Sequence, residues 1–278
     1  MGKFINPFTD VGFKKIFGQE FSKPLLLDFL NNLLKDEKHI KNIIFLDKEQ
    51  PAEYKDDRSL IYDIFCETDN GERIIVEMQN KEQPYFADRC LYYYSQAVVR
   101  QGEKGINWKY HIDAVYLIAF MNFNLKELGE QFRTDIVLFN IQEKKVFSDK
   151  ERLIFLQLPK FNKDAEDCTN DFDCWIYLLK NMEVLDRMPW TAKNSVFRKL
   201  AEIAEVGNMS KEERIKYDSS LRHYRDTISV SQGAVDEGRK EGREEANLNN
   251  AKVMKSLGLP VDTIQKVTGL DVERIKSL

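Results

Sequence analysis

The chain has 278 residues and a formal net charge of −4, with 42% hydrophobic, 12% aromatic and 32% charged residues. This composition predicts a folded domain with a substantial core, and it argues against a protein that coats DNA through overall positive charge. No apolar run reaches membrane-spanning length, the first residues carry no signal-peptide pattern, and the four cysteines form no Cys-x-x-Cys pair. We therefore expect a cytoplasmic protein with reduced core cysteines, no zinc framework and no membrane partner.

The first predicted helix begins after Thr9, a residue type that favours the N-cap position. Phe8 and Phe13 have the spacing of a hydrophobic staple around that cap. Asp10 stands at the positive end of the helix dipole, four residues before Lys14 and on the same face. From this pattern alone, Asp10 is interpreted as a helix-start carboxylate.

A predicted β-hairpin at residues 60–79 is the stretch most indicative of function. Each of its two strand-forming runs carries a carboxylate among apolar neighbours, Asp63 in the first and Glu77 in the second. A carboxylate inside a covered strand is costly unless it has a partner. Side-chain alternation places Glu77 and Gln79 on one face of their strand.

The turn of this hairpin decides whether its carboxylates meet. A two-residue turn would place Asp63 opposite Met78, whereas a three-residue loop with Gly71 in the left-handed position would place Asp63 opposite Glu77. We favour the three-residue loop, because two half-buried carboxylates that lie close together need a cation to neutralise their repulsion.

The helix predicted from Tyr85 to about Gln101 is rich in apolar residues but contains Arg89. Tyr93 and Gln96 lie at near-helical spacing on an adjoining face. A half-buried guanidinium needs an anionic partner, which is either a structural carboxylate or a substrate phosphate. The pattern alone favours the structural carboxylate.

The remaining predicted elements mix strands and helices, so we expect an α/β domain with a mixed sheet and helices packed on it. They are a helix at residues 22–34, strands at 42–46, 114–120, 135–140 and 153–158, helical sequence at 171–207 and a helix at 211–228.

Composition changes after Val230, where charged residues are interrupted by glycine every four or five positions. This segment is either a solvated helix or a linker, because repeated glycine lowers helix propensity. The short amphipathic pieces beyond it resemble a helix-turn-helix, and both DNA reading and packing or homo-oligomerisation remain open for them. The predicted domains are a core at 1–160, a helical extension packed on it at 161–230, and a linker with a helix-turn-helix-like tail at 231–278.

Asp63 and the run Glu77-Met78-Gln79, followed by a helix that carries Arg89, resemble the PD-(D/E)XK nuclease superfamily. With an opening Asp-x-x-Phe-Lys motif at residues 10–14, the chain more narrowly resembles the recombination-promoting nuclease/putative transposase family. The likeness covers the chain well up to about residue 160 and the tail loosely. It implies a restriction-endonuclease-like core in the order α-β-β-β-α-β, followed by a helical C-terminal region. It also implies metal-dependent hydrolysis of phosphodiester bonds in DNA.

The resemblance implies roles for individual side chains. Asp63 and Glu77 would bind Mg²⁺ or Mn²⁺, which polarises the scissile phosphate and acidifies bound water. Gln79 would orient that water, and Asp10 would assist the metal or the water. Contacts to phosphate or DNA are implied for Arg89, Lys14, Lys81 and Tyr93.

The chain departs from the wider superfamily at Gln79, where lysine is usual. An amide positions water but cannot neutralise a negative charge, so Lys14, Lys81 or Arg89 would have to supply the cation. The narrower relatives also carry glutamine there, so the departure does not itself indicate an inactive site.

Two functions are consistent with these residues. The first is a metal-dependent DNA endonuclease of recombination type with low sequence specificity. The second is a catalytically weak or inactive nuclease-derived module that binds DNA or protein through its helical tail. A purely structural α/β domain would leave the carboxylates of the hairpin unexplained.

Overall fold

The computed structural model describes residues 2–50, 60–102 and 108–278. These residues form two compact units, which divide between Tyr224 and Arg225. The predicted domain boundaries at residues 160 and 230 stay a prediction.

The first unit contains most of the regular structure. Its helices are α1 (Asp10–Phe17), α2 (Lys23–Leu33), α3 (Phe86–Val99), α4 (Asp171–Asn181), α5 (Ser195–Ala204) and the first part of α6 (Lys211–Ser256). Its strands are β1 (Ile43–Phe45), β2 (Glu49–Gln50), β3 (Leu60–Ile61), β4 (Ile64–Thr68), β5 (Arg73–Gln79), β6 (Val115–Met121), β7 (Arg133–Asn140) and β8 (Lys145–Gln157).

Six strands form one mixed sheet in the order β1-β4-β5-β6-β8-β7, and β2 pairs separately with β3. Strand β4 is antiparallel to both β1 and β5. Strands β5, β6 and β8 run parallel to one another, and β7 is antiparallel to β8. The parallel step from β5 to β6 passes through α3, as a parallel crossover requires. The predicted α/β class, with a mixed sheet and a helical C-terminal region, is confirmed and agrees with a restriction-endonuclease-like fold.

The sheet separates two apolar layers because successive side chains of a strand point to opposite faces. In β5, Ile74 and Val76 belong to the larger layer, and Ile75 belongs to the smaller one. Helices α1, α2, α4 and α5 cover the larger layer, and α3 covers the smaller. The largest fully buried side chains of the larger layer include Trp175, Phe17, Phe29, Phe120 and Phe197.

Three predicted elements differ in extent from the structure. The helical sequence at 171–207 is broken between α4 and α5, where Pro189 is incompatible with a helix interior and Asn194 starts a new helix by accepting from the Val196 amide at 2.8 Å. Strand β8 begins at Lys145, well before the predicted 153, because its first half pairs with β7 ahead of the first residue of β6. The charged segment after Val230 is helical, since α6 runs through its glycines to Ser256.

The second unit consists of the end of α6 together with α7 (Val261–Thr268) and α8 (Val272–Ser277). Ala251, Ile264 and Ile275 form its small buried core. Gly269 ends α7 with a φ of 71°, and the Asp271 carboxylate caps α8 by accepting from the Arg274 amide at 2.8 Å. Among the described residues of both units, no helix is long and apolar enough to cross a membrane.

Candidate active site

The hairpin between β4 and β5 has the three-residue loop that the sequence favoured. The Thr68 amide donates to the Glu72 carbonyl at 2.8 Å, and the Gly71 amide donates to the Thr68 carbonyl at 3.0 Å. Gly71 has a φ of 82°, the left-handed conformation that this loop requires and that glycine adopts without strain. Ile64 pairs with Val76 in the same register, which confirms that Asp63 falls opposite Glu77.

The side chains of Asp63 and Glu77, called here the carboxylate pair, are held by the backbone of the opposite strand. The Asp63 amide donates to Glu77 Oε1 at 3.3 Å, and the Met78 amide donates to Asp63 Oδ2 at 2.8 Å. Glu77 is buried, and Asp63 is half-buried at the end of β4. The two acidic groups therefore have fixed positions next to each other.

Burial makes both groups resist ionisation. It is the main cause that raises the pKa of Glu77 to about 8, and the negative charge of Asp63 raises it further. Burial also raises the pKa of Asp63, against the hydrogen bond from Met78, which lowers it. A cation placed between two such carboxyl groups stabilises the ionised form of both.

Helix α1 brings a third carboxylate and a cation to the site. Lys14 donates to Asp10 one turn earlier in the helix. The positive charge of Lys14 lowers the pKa of both members of the carboxylate pair, whereas the negative charge of Asp10 raises that of Asp63. The structure thus brings the opening motif and the hairpin together.

The position of α1 is fixed at its start and along its buried face. Thr9 is the N-cap, as predicted, and its hydroxyl accepts from the Gly12 amide at 2.9 Å. Phe13 packs edge-on against Phe17 and Phe120, with ring centroids 5.5 and 5.6 Å apart. Because Phe120 lies in β6, next to β5, this packing holds α1 beside the end of the strand that carries Glu77.

Helix α3 supplies Arg89, whose partners are amides. Its Nη2 donates to Gln79 Oε1 at 2.9 Å and its Nη1 donates to Gln83 Oε1 at 2.7 Å, while the guanidinium lies 5.7 Å from the Tyr93 ring centroid. Within the described part of the chain Arg89 forms no ion pair, so the structural carboxylate favoured by the helix pattern stays a prediction. The charge of Arg89 instead lowers the pKa of both members of the carboxylate pair.

Gln79 is anchored at both ends of its amide. Its oxygen accepts from Arg89, and its nitrogen donates to the Lys81 carbonyl at 3.1 Å. Only the backbone of Lys81 takes part, since its ammonium forms no hydrogen bond or ion pair with any described residue. Tyr93 lies beside Arg89, and burial and then the charge of Glu77 raise the pKa of its hydroxyl.

The structure therefore gathers most of the side chains that the sequence singled out and leaves the Lys81 ammonium apart. Sequence reasoning missed Gln83, which holds the second arm of Arg89. Gln83 lies in the turn before α3, where neither helix nor strand periodicity gives a signal. The gathered residues are Asp10, Lys14, Asp63, Glu77, Gln79, Arg89 and Tyr93.

The donor set fits a hard divalent cation. In the described ranges no group of three or more His, Cys, Asp or Glu residues is arranged to hold a metal ion. The carboxylate pair nevertheless offers two fixed oxygen ligands, and Mg²⁺ is commonly held by one or two carboxylates with water and substrate phosphate completing its shell. Asp63 and Glu77 are the residues that would hold it.

The fold and this site together define a class of protein. A mixed sheet flanked by helices, with opposed carboxylates on a central hairpin, is the arrangement of the restriction-endonuclease-like nucleases. The sequence model of the family described as "PD-(D/E)XK nuclease family transposase" matches residues 7–234, and the chain belongs to this family. Members of this nuclease superfamily generally use divalent metals. Comparisons with curated proteins and with solved structures give no match.

Proposed function

We propose that this protein is a divalent-metal-dependent DNA endonuclease that hydrolyses phosphodiester bonds with low sequence specificity during recombination or transposition. The observation that carries the proposal is the carboxylate pair, a buried and a half-buried acidic group that are opposed across a hairpin and flanked by the cations of Lys14 and Arg89. Mg²⁺ is the proposed metal, with Mn²⁺ as an alternative.

The chain's own residues divide the chemistry between them. Asp63 and Glu77 hold the metal. When bound, the metal supplies charge neutralisation at the scissile phosphate and a more acidic water molecule. Gln79 keeps one lone pair of its oxygen free of Arg89, and that lone pair orients the attacking water. Asp10 holds Lys14 in place over the pair.

Two side chains replace the lysine that is usual at the position of Gln79. Lys14 reaches the site from α1 and Arg89 reaches it from α3, so positive charge approaches the carboxylate pair from two elements. Their role is to bind the scissile or a neighbouring phosphate and to stabilise the negative charge that develops during cleavage. Tyr93 supports Arg89 through its ring.

Cleavage of supercoiled plasmid tests the proposal. Purified protein should convert the plasmid to nicked and linear forms in the presence of Mg²⁺ or Mn²⁺ and should leave it intact in excess EDTA. Cleavage that persists in EDTA, or protein that binds the plasmid without cutting it under any metal condition, would contradict it.

Arg89→Lys is expected to slow cleavage by about tenfold to a hundredfold without weakening metal binding. Lysine retains the charge, but its single ammonium nitrogen lacks the planar fork whose two nitrogens bond separately to Gln79 and Gln83. Single-turnover cleavage at saturating metal measures the effect. Arg198→Lys is the control, because Arg198 is exposed on α5 and, among the described residues, its side chain bonds only to the Thr191 carbonyl at 3.3 Å. Equal rates for wild type and Arg89→Lys would remove Arg89 from the proposed mechanism.

The helical tail carries the second candidate function, in which the protein binds DNA or assembles as a homo-oligomer. The observation in favour is the apolar surface that its short core leaves exposed, including Val267 at 63%. Val267→Glu should lower the molar mass measured by light scattering if the tail mediates self-association. Val184→Glu is a matched control, since Val184 is 78% exposed in the first unit. An unchanged molar mass in Val267→Glu would exclude this surface.

The cytoplasm is the proposed location. Cys66, Cys90, Cys168 and Cys174 are all free thiols in the structure. A reducing compartment keeps cysteines in this form.

A further inference from the structure

We propose that a cavity beside the carboxylate pair binds an unpaired nucleotide of the substrate, with its base stacked on Phe21. This inference rests on the proposed nuclease function and names its substrate class as DNA that contains unpaired bases, such as single strands, gaps and frayed ends.

The cavity is formed by three neighbouring elements of the first unit. Helix α1, the 3₁₀ turn Glu20–Ser22 and the beginning of α6 enclose a volume of about 300 Å³. This volume is at the lower end of the range for sites that bind small molecules and cofactors. Residues that line it include Val11, Lys15, Phe21, Met209 and Lys216.

The cavity and the active site share two charged side chains of α1. Asp10 and Lys14 face the cavity, and their charges also act on the carboxylate pair. A nucleotide held in the cavity would therefore contact the same Asp10 and Lys14 side chains whose charges act on the carboxylate pair.

Phe21 provides an aromatic surface that the core does not use. Its neighbours in sequence, Phe13 and Phe17, are buried, whereas Phe21 is 51% exposed and no other described aromatic ring packs against it. The ammonium of Lys15 lies 6.0 Å from its ring centroid. An exposed aromatic ring beside a cation is the arrangement that proteins use to stack the bases of single-stranded nucleic acid.

The cations of the cavity differ in their availability. Lys14 is paired with Asp10, and Lys15 is paired with Glu213. Lys216 is exposed at the wall of the cavity and forms no hydrogen bond or ion pair with any described residue. Lys216 is therefore the side chain placed to bind the phosphate of the stacked nucleotide.

Unpaired bases are the expected occupants because both faces of a base within a duplex are already covered by its neighbours. To reach Phe21, a base in a duplex would first have to leave the stack, which costs a few kcal/mol and is cheapest where the base is already single-stranded. The cavity thus favours unpaired DNA over intact duplex.

Equilibrium binding in EDTA tests this inference without any cleavage. Fluorescence anisotropy compares a labelled single-stranded oligothymidine with a blunt duplex of the same length. Wild type should bind the single strand more tightly, and Phe21→Ala should weaken that binding by about tenfold while leaving duplex binding unchanged. Phe21→Trp should retain the preference. Phe139→Ala is the matched control, because Phe139 is 52% exposed on β7 and outside the cavity.

The outcomes separate the two proposals. Equal binding of single strand and duplex by wild type, or no weakening in Phe21→Ala, would overturn the stacking site even if wild type cuts plasmid in Mg²⁺. Loss of the single-strand preference in Phe21→Ala, with recovery in Phe21→Trp, would support the stacking site even if wild type fails to cut.

Discussion

Asp63→Asn should lower the rate of metal-dependent DNA cleavage by about a thousandfold, since a metal ion contributes several kcal/mol to transition-state stabilisation. The substitution removes one of the two charges that hold the metal. It keeps an oxygen that accepts from the Met78 amide, the 2.8 Å bond that fixes this side chain in the folded protein. The loss should therefore appear in the rate constant for cleavage, with a cooperative fold retained.

Glu67→Gln is the matched control for this loss. Glu67 is a half-buried carboxylate in β4, and its backbone lies opposite Arg73 in the register of the same hairpin. Cleavage by Glu67→Gln should equal that of wild type under single-turnover conditions. Comparable rates for wild type and Asp63→Asn would show that the carboxylate pair does not carry the reaction.

Glu77→Gln should stabilise the metal-free protein against unfolding, by an amount on the order of a few kcal/mol at pH 8. In wild type without metal, folding buries Glu77 beside a second carboxylate. Glutamine removes the charge and keeps an oxygen that accepts from the Asp63 amide. The same substitution should abolish the stabilisation that Mg²⁺ gives to wild type.

The pH dependence of stability has a defined sign. The pKa of Glu77 rises from an ordinary 4.5 to about 8 in the folded state, so the folded protein retains a proton that the unfolded chain has released. The unfolding free energy of wild type in EDTA should therefore fall as pH rises through this window, and the fall should be much smaller in Glu77→Gln. Urea unfolding at pH 5, 6.5 and 8 measures both trends. If the unfolding free energies of wild type and Glu77→Gln changed equally with pH, the raised pKa assigned to Glu77 would be contradicted.

The hairpin part of the site could be predicted because its geometry is local. The alternation of a strand places Glu77 and Gln79 on one face, and Gly71 allows the loop that sets Asp63 opposite Glu77. The N-cap at Thr9 was predictable for the same reason, since an N-cap depends on neighbours within one turn.

The contributions of the helices depend on tertiary packing, which periodicity does not specify. Lys14 reaches the carboxylate pair because Phe13 anchors α1 against β6, and Arg89 reaches it because two amides hold its guanidinium. The cavity at Phe21 joins α1 to the start of α6, nearly two hundred residues apart in sequence. The sequence also left open whether the segment after Val230 is a helix or a linker, because glycine lowers helix propensity by about 1 kcal/mol per residue but does not by itself decide the outcome.

Binding of Mn²⁺ measured by isothermal titration calorimetry tests most directly whether Asp63 and Glu77 together form the metal site. Wild type and Glu67→Gln should bind Mn²⁺ with the same affinity, and this binding should be lost in both Asp63→Asn and Glu77→Gln. Unchanged Mn²⁺ binding after either substitution in the pair would contradict the account.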